Sequence, residues 1–248
     1  MAISNPYPTE KHNNRALIEL RGVGILSFLH NILTCSVETL NQGDLAYGAL
    51  LSPQGKILHD VFIHNAGGAV FLDCDHGGRD DLLTKLKLYR LRAKFEILPR
   101  PDLHVHIGGM GAADPRHLAL GRRSISAGEA TGSNHALRFA LGIADSEEIG
   151  SGKLFPHEAN FDLLGAVDFR KGCYIGQEVV SRMQHRATAR SRILPVTMNN
   201  NQFTDEKRVV EILGTNGQEA LALVRLDRLA EHGAPEGLTI TKPDWMKL

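Results

Sequence analysis

The spacing of apolar and polar residues predicts alternating short strands and helices in the first part of the chain. Apolar positions alternate in a strand over 16–20, and they recur at helical spacing in an amphipathic helix over 23–33. Two strand-like runs, 45–51 and 56–64, flank the turn signal Ser52-Pro53-Gln54-Gly55. We therefore expect a β-hairpin after the first helix.

The pattern continues with one longer helix among short strands. A strand is predicted over 69–75, and leucines at helical spacing predict a helix over 80–91, with acids in its first turn and bases later. Further short strands are predicted over the ranges 94–98, 103–107 and 136–142. This mixture is typical of an α+β fold and not of regular βαβ units.

After about His185 the pattern predicts strands alone. Candidates cover 191–198, 208–213 and 219–226, with a turn over 214–217 between the last two, and 238–241 adds one more. Three segments follow from these changes of pattern: a mobile N-terminal arm rich in Asn and Pro over 1–14, an α+β body over 15–185, and a small C-terminal β-barrel over 186–248. The stretch RKGCYIGQEVVSR, 170–182, precedes the second junction, where we expect a cleft.

Composition narrows the class of protein. The chain has 248 residues, 28 bases and 28 acids, and 42% hydrophobic residues, which is ordinary for a soluble protein. Zero net charge argues against a general nucleic-acid or anionic-membrane binder. The N-terminal residues contain no apolar stretch of the signal-peptide kind, and no segment has the length of a membrane span, so we expect a cytosolic protein.

The possible metal ligands are few and scattered. Cys35, Cys74 and Cys173 are too far apart for a CxxC pair, and His104 and His106 share a strand face without a third ligand. We therefore expect no metal site within one chain. An iron-sulfur cluster usually needs four thiolates, so a cluster held here requires ligands from a partner.

Cys173 has surroundings that permit two interpretations. Arg170, Lys171 and a helix start nearby favour the thiolate, which predicts a lowered pKa. Gly172 and Gly176 allow close approach of a ligand or a positive φ angle, although glycines in a plain turn do the same. Free cysteine is also often buried and inert. The residues alone leave both interpretations open.

The helix predicted after Gly176 carries a second ambiguous group. Glu178 and Arg182 are four residues apart in the order that gives a surface ion pair worth a few tenths of a kcal/mol. Alternatively, Gln177 and Glu178 face the same cleft as Cys173. A carboxylate there can accept from the ring NH and the exocyclic amine of a pterin together.

Charge is unevenly distributed in this region. Between Arg170 and Arg192 six bases stand against the single acid Glu178, a net charge of plus five. A solvated basic face accounts for such a run. An anionic ligand accounts for it equally: a polyglutamate tail, a phosphate or an acidic surface on a partner.

KGCYIGQE, Lys171–Glu178, resembles the signature of the YgfZ-type folate-binding proteins, relatives of the glycine-cleavage T-protein, an aminomethyltransferase. LSPQGKILHD (51–60), LFPHEANFD (154–162) and FLHNILT (28–34) extend the resemblance over nearly the whole chain. It implies a T-protein-like fold, with a folate-binding α+β body around a central channel and a C-terminal β-barrel. It also implies binding of tetrahydrofolate or a derivative and a role in making or maintaining iron-sulfur clusters in some enzymes, including ones that modify tRNA.

The resemblance also implies roles for individual residues. The family's distinctive positions carry over as Lys171, Gly172, Cys173, Tyr174, Gly176, Gln177 and Glu178. Cys173 and Lys171 become candidate catalytic residues, together with Asp60, and Tyr174, Gln177, Glu178 and Arg182 become candidate folate ligands. T-proteins usually carry two adjacent acids where this chain has His59-Asp60, which places aminomethyl transfer in doubt.

Three hypotheses about function follow. The first is a folate-dependent accessory protein of iron-sulfur cluster assembly or repair, with iron-sulfur carrier or client proteins as partners. The second is an aminomethyl-type one-carbon transferase that uses Asp60. The third is a docking module in which the basic stretch 182–192 binds RNA or a protein without chemistry, and the zero net charge ranks it last.

Overall fold

A computed structural model describes residues 14–186, 189–199 and 203–247 of the chain. The predicted N-terminal arm lies outside the described residues except for Asn14. The largest sheet has five strands in the order β2-β3-β4-β1-β5, and every neighbouring pair is antiparallel. The strands are β1 (Arg15–Gly22), β2 (Leu45–Leu51), β3 (Ile57–Asn65), β4 (Val70–Asp75) and β5 (Phe95–Pro99). The predicted hairpin is β2 and β3, and it is confirmed.

Two helices pack against one face of this sheet. Helix α1 (Ile25–Ile32) buries Ile25 and Leu29, and helix α2 (Arg79–Arg90) buries Leu82. Both join a core cluster with apolar residues of β1, β3 and β4. The apolar positions that recur at helical spacing in the sequence therefore form the face that each helix buries.

The second apolar cluster contains residues of β2 and β3 together with later segments of the chain. Tyr47 and Phe62 pack ring against ring at 4.6 Å, and Phe161 lies 5.1 Å from Tyr47. Tyr174 and Val180, from the region of the KGCYIGQE motif, belong to the same cluster. The motif is thus packed against the sheet through apolar side chains.

The middle of the chain differs from the prediction. A two-stranded ribbon, β6 (His104–Ala113) with β7 (Arg122–Ser126), is followed by helices α3 (His135–Leu141) and α4 (Ser146–Ile149). The strand predicted over 136–142 is therefore wrong. Gly142, at φ 71°, ends α3 and donates its N–H to the carbonyls of that helix's last turn. A short apolar run does not distinguish a strand from a helix. The glycine that ends this run is the sequence signal that indicates the C-terminus of a helix.

The predicted C-terminal β region is confirmed as a four-stranded antiparallel sheet in the order β11-β8-β10-β9. Helix α5 (Gln177–Arg186) precedes it. Its strands are β8 (Ser191–Met198), β9 (Val210–Asn216), β10 (Glu219–Arg225) and β11 (Leu238–Ile240). Strand β9 extends through most of the turn predicted over 214–217. The expectation of strands alone is wrong, because helix α6 (Leu226–His232) follows β10 and buries none of its residues.

Arg192 fastens this sheet to the body. Its guanidinium donates to both carboxylate oxygens of Asp162, at 2.6 and 2.8 Å, and to the carbonyl of His157 at 2.9 Å. Asn160, held at φ 63°, donates its side-chain amide to the carbonyl of Ile193 at 2.8 Å. The segment LFPHEANFD is therefore one of the contacts between β8 and the body.

Replacing Arg192 by Met should lower the free energy of unfolding by about 3–5 kcal/mol, because it leaves the Asp162 carboxylate buried without its cation. Both side chains are at most 9% exposed. Urea denaturation measures the change. The matched control is Arg190→Met at an exposed position two residues away, which should cost less than about 0.5 kcal/mol. Equal losses in the two variants would contradict this assignment.

Candidate functional site

Lys171 holds the motif against the end of helix α1. Its ammonium donates to the backbone carbonyls of Leu33 at 2.7 Å and Cys35 at 2.8 Å, and also to that of His30. The carbonyls at a helix C-terminus lack partners within the helix and attract a cation. Burial lowers the pKa of Lys171. The lysine therefore docks the loop that carries Cys173, and its predicted role in activating the thiol stays a prediction.

Cys173 differs from the other two cysteines in its exposure. Cys173 is exposed to solvent, whereas Cys35 and Cys74 are only 3% and 1% exposed. Burial raises the pKa of each of these two thiols to about 12. Both therefore remain neutral and inert near neutral pH. Of the three thiols in the chain, only that of Cys173 is open to a reagent or a partner.

The two glycines of the motif have different requirements. Gly176 has φ 79°, and a Cβ placed there would lie 2.6 Å from the carbonyl oxygen of Ser52. Gly55, at the end of the same turn, would place a Cβ 2.9 Å from Val179. A Cβ at Gly172 would meet nothing within 4 Å. The turn 52–55 thus packs directly on the start of α5, and this approach needs Gly55 and Gly176 but not Gly172.

Tyr174 is buried beside the docking lysine. It is 7% exposed, and its ring centre lies 5.2 Å from the Lys171 ammonium. Burial raises the pKa of Tyr174 to about 12. Its hydroxyl is buried without a hydrogen-bond partner among the described residues. An unpaired buried hydroxyl is costly, so it marks a place for a water molecule or a ligand atom.

The polar residues at the start of α5 lie at the surface. Glu178 and Arg182 form an ion pair at 2.5 Å, with side chains 77% and 67% exposed. Gln177 donates its amide to the carbonyl of Gly172 at 3.4 Å. The surface pair weighed from the sequence is therefore present. Folate binding by Gln177, Glu178 and Arg182 stays a prediction.

A cavity of about 620 Å³ lies beside the motif. Its walls come from β2, from the residues that follow α1, and from the segment 164–170 that leads into Lys171. Tyr47, Leu164 and Phe169 give it an aromatic and apolar lining, and Ser36 and Asp168 add polar groups. The volume is within the ~300–1,000 Å³ usual for small-molecule sites. The segment that presents Cys173 is thus continuous with the wall of a ligand-sized cavity.

Asp60 lies deeper, behind Tyr47. It is 2% exposed and accepts hydrogen bonds from the Tyr47 hydroxyl at 3.1 Å and from the Ser146 hydroxyl. It lines a separate cavity of about 90 Å³. His59, its neighbour in β3, instead bonds Asp81 of α2 at 2.7 Å. His59 also lines this small cavity, so the two neighbouring residues border the same space although their hydrogen-bond partners differ.

A chain of nine ionised side chains begins at Asp60, and sequence inspection missed it. Four guanidiniums alternate with five carboxylates at nitrogen–oxygen separations of 2.5–3.8 Å. Eight of the nine side chains are at most 7% exposed. We call this set the buried ion chain; in order, it is Asp60, Arg15, Asp73, Arg123, Asp114, Arg116, Asp145, Arg138 and Glu148.

Two carboxylates inside this chain, Asp73 and Asp145, are held ionised by their neighbours. Burial opposes ionisation of Asp73, but Arg123 and Arg15 outweigh it and hold the pKa of Asp73 well below its usual range. Arg138 and Arg116 do the same for Asp145. Asp60, at 3.8 Å from Arg15, has the longest separation from its guanidinium, and it also accepts the hydroxyls of Tyr47 and Ser146.

The basic stretch 182–192 does not form one open cationic surface. Arg192 is buried against Asp162, and Arg182 is paired with Glu178. Arg186 and Arg190 are the exposed bases that remain among its described residues. The charge available for docking RNA or an acidic protein is therefore smaller than the sequence indicates.

Comparison with known proteins gives related sequences and a related fold. No protein-family model matches the chain. Two relatives, from Pyricularia oryzae and Neurospora crassa, are both named "Iron-sulfur cluster assembly factor IBA57 homolog, mitochondrial". They are 30% and 31% identical to this chain, over 78% and 94% of its length. The human factor of that name is 26% identical over 94% of this chain and 83% of its own length. The chain spans only 58% and 64% of the two fungal relatives.

One solved structure with a similar fold is the glycine cleavage system aminomethyltransferase T of Bartonella henselae. The TM-score is 0.69 at 11% sequence identity, covering 94% of this chain and 84% of that one. The predicted T-protein-like α+β fold is therefore confirmed.

Among the helices of the described residues, none is both long and apolar enough to cross a membrane.

Replacing Gly176 by Ala should lower the free energy of unfolding by about 2 kcal/mol, because the methyl group meets the Ser52 carbonyl and the backbone is at positive φ. Thermal and urea denaturation measure the loss. Gly172→Ala, in open space within the same motif, is the control and should change stability by less than about 0.5 kcal/mol. A larger loss at Gly172 than at Gly176 would refute this division of roles.

Proposed function

We propose that the chain is an accessory factor of iron-sulfur cluster assembly that binds a tetrahydrofolate in the 620 Å³ cavity and presents Cys173 to an iron-sulfur protein. The observation that carries the proposal is the position of Cys173. It is an exposed thiol on a loop whose preceding residues form the cavity wall and whose lysine is fixed to α1. The names of the relatives at 30–31% identity support the same role.

The exposed thiol suits an iron-sulfur partner. Thiolates are the usual ligands of such clusters, which commonly take four of them. Cys35 and Cys74 are buried and held neutral, so they do not join Cys173 around a cluster. The remaining ligands would come from a carrier or client protein that docks over Cys173. The cluster is then the cargo of the complex.

The cavity fits the body of a folate. It has the required volume, and Tyr47 and Phe169 offer aromatic surface to a flat ring system. Ser36 and Asp168 supply a hydroxyl and a carboxylate for the polar edge of a pterin. When bound, tetrahydrofolate supplies a reduced pterin nitrogen that can carry a one-carbon group. The unpaired Tyr174 hydroxyl is a further group that a ligand or water can satisfy.

The wider setting of this role comes from the resemblance to YgfZ-type proteins. It includes client enzymes that modify tRNA. The cytosolic location expected from the N-terminal sequence stays a separate prediction. The relatives' printed names place them in mitochondria.

Cys173→Ala should abolish function without unfolding the chain, because the side chain is exposed. In cells that lack the protein, we expect the activity of its iron-sulfur client enzymes to stay at the level of the uncomplemented cells. Folate affinity, measured by titration, should stay within about twofold of wild type. Cys74→Ala, which removes a buried thiol, is the control and should restore activity. Wild-type client activity with Cys173→Ala would rule out the role of the thiol.

A second candidate function, one-carbon transfer, is favoured by one observation. Asp60 is buried at the end of the ion chain and accepts a hydrogen bond from the Tyr47 hydroxyl. Tyr47 also lines the large cavity. A carboxylate so placed can accept a proton or bind an amine. The fold shared with aminomethyltransferase T is compatible with this chemistry, although a fold does not fix a function.

We expect the wild-type protein to show no turnover of an aminomethyl-carrying protein with tetrahydrofolate, measured by release of the methylene derivative. Turnover that falls by about 100-fold or more in Asp60→Asn would establish the transferase in place of the accessory role. The comparison variant is Asp102→Asn, an exposed acid that lines neither cavity, and it should leave any such turnover unchanged.

A further inference from the structure

The lining of the large cavity is almost without free charge. Apart from Asp168 and Arg170, its ionisable members are Cys35 and Tyr47. Burial raises the pKa of Cys35 to about 12 and that of Tyr47 well above its ordinary value, so both stay neutral. Asp168 and Arg170 are therefore the two charged residues of the cavity lining.

One carboxylate oxygen of Asp168 is committed to its own loop. Its carboxylate accepts the backbone N–H of Arg170 at 2.8 Å, and its backbone N–H donates to the carbonyl of Thr34 at 3.0 Å. These bonds fix the loop against the residues that follow α1. One oxygen of the carboxylate is therefore tied to the backbone N–H of Arg170.

The guanidinium of Arg170 is free by comparison. Its side chain is 96% exposed, and its approach to Asp168 is 3.9 Å, beyond hydrogen-bond distance. Among the described residues the guanidinium makes no hydrogen bond. Arg170 is also the last residue of the cavity lining before the motif. An unsatisfied planar cation thus lies where an otherwise apolar cavity meets solvent.

We propose that Arg170 binds the anionic tail of the cavity's ligand, so that the protein prefers polyglutamylated tetrahydrofolates to the monoglutamate. This inference rests on the proposed function, which supplies the folate. The flat body of such a ligand matches the aromatic and apolar wall, and its γ-glutamyl carboxylates match a guanidinium, which takes carboxylates in a bidentate manner. Each added glutamate brings one more carboxylate into reach of Arg170.

The proposal is tested with the full-length protein by titrating three tetrahydropterins that differ only in the tail: tetrahydropteroate, its monoglutamate and its triglutamate. For the wild type we expect the triglutamate to bind about three- to fivefold more tightly than the monoglutamate, as for an exposed ion pair. The preference should shrink as the salt concentration rises. Arg170→Gln should remove the preference and leave the affinity for tetrahydropteroate within about twofold.

The matched control is Arg186→Gln, an exposed arginine of α5 that does not line the cavity, and it should keep the full preference. Equal binding of the two glutamylated forms by the wild type, or an unchanged preference in Arg170→Gln, would overturn the inference while folate binding itself stands. If the wild type binds none of the three compounds, the folate part of the proposed function fails, and this inference fails with it.

Discussion

The burial of nine charges in one continuous chain is the constraint on which the rest of the structure depends. Each ion in such a place is strongly destabilising unless its partner is present with good geometry. The members come from β1, β3, β4, β7, the turn after β6, α3 and the region of α4. All of these segments must therefore assemble together. The body cannot rearrange one of them without leaving a buried charge unpaired.

This constraint also sets the geometry of the candidate site. Asp60 is held at one end of the chain, and Tyr47 joins it to the larger cavity by donating a hydrogen bond across β2 and β3. The cavity wall opposite is the segment 164–170, which is fixed by bonds to the residues after α1. Because the segment that leads into the motif is fixed in this way, the exposed thiol of Cys173 has a defined position relative to the cavity.

The motif KGCYIGQE is mostly a docking device. Lys171 binds the end of α1, Gly176 admits the turn 52–55, and Tyr174 fills an apolar cluster. What these contacts present to solvent is Cys173, together with the exposed pair of Glu178 and Arg182. The same fold occurs in an aminomethyltransferase, so the fold by itself does not determine the function of this chain.

Local patterns in the sequence were enough to determine much of the fold. Apolar periodicity alone located β1 to β5, α1, α2, α5 and the C-terminal strands, because spacing reports which face of an element is buried. The resemblance carried by Lys171–Glu178 pointed to the T-protein-like architecture. Helix α3 was mistaken for a strand because seven residues are too few for the period to show.

Tertiary structure alone decided which charges are paired and which are free. Arg15 and Arg123 meet Asp73 from 58 and 50 residues away, and Arg192 meets Asp162 from 30. In the sequence Arg192 and Arg170 are equal members of a basic stretch, yet one is buried in an ion pair and the other is open to solvent. The composition gives the number of charged residues. The environment of each charge is set by contacts between segments that are distant in the sequence, and such contacts produce no local periodicity from which they could be predicted.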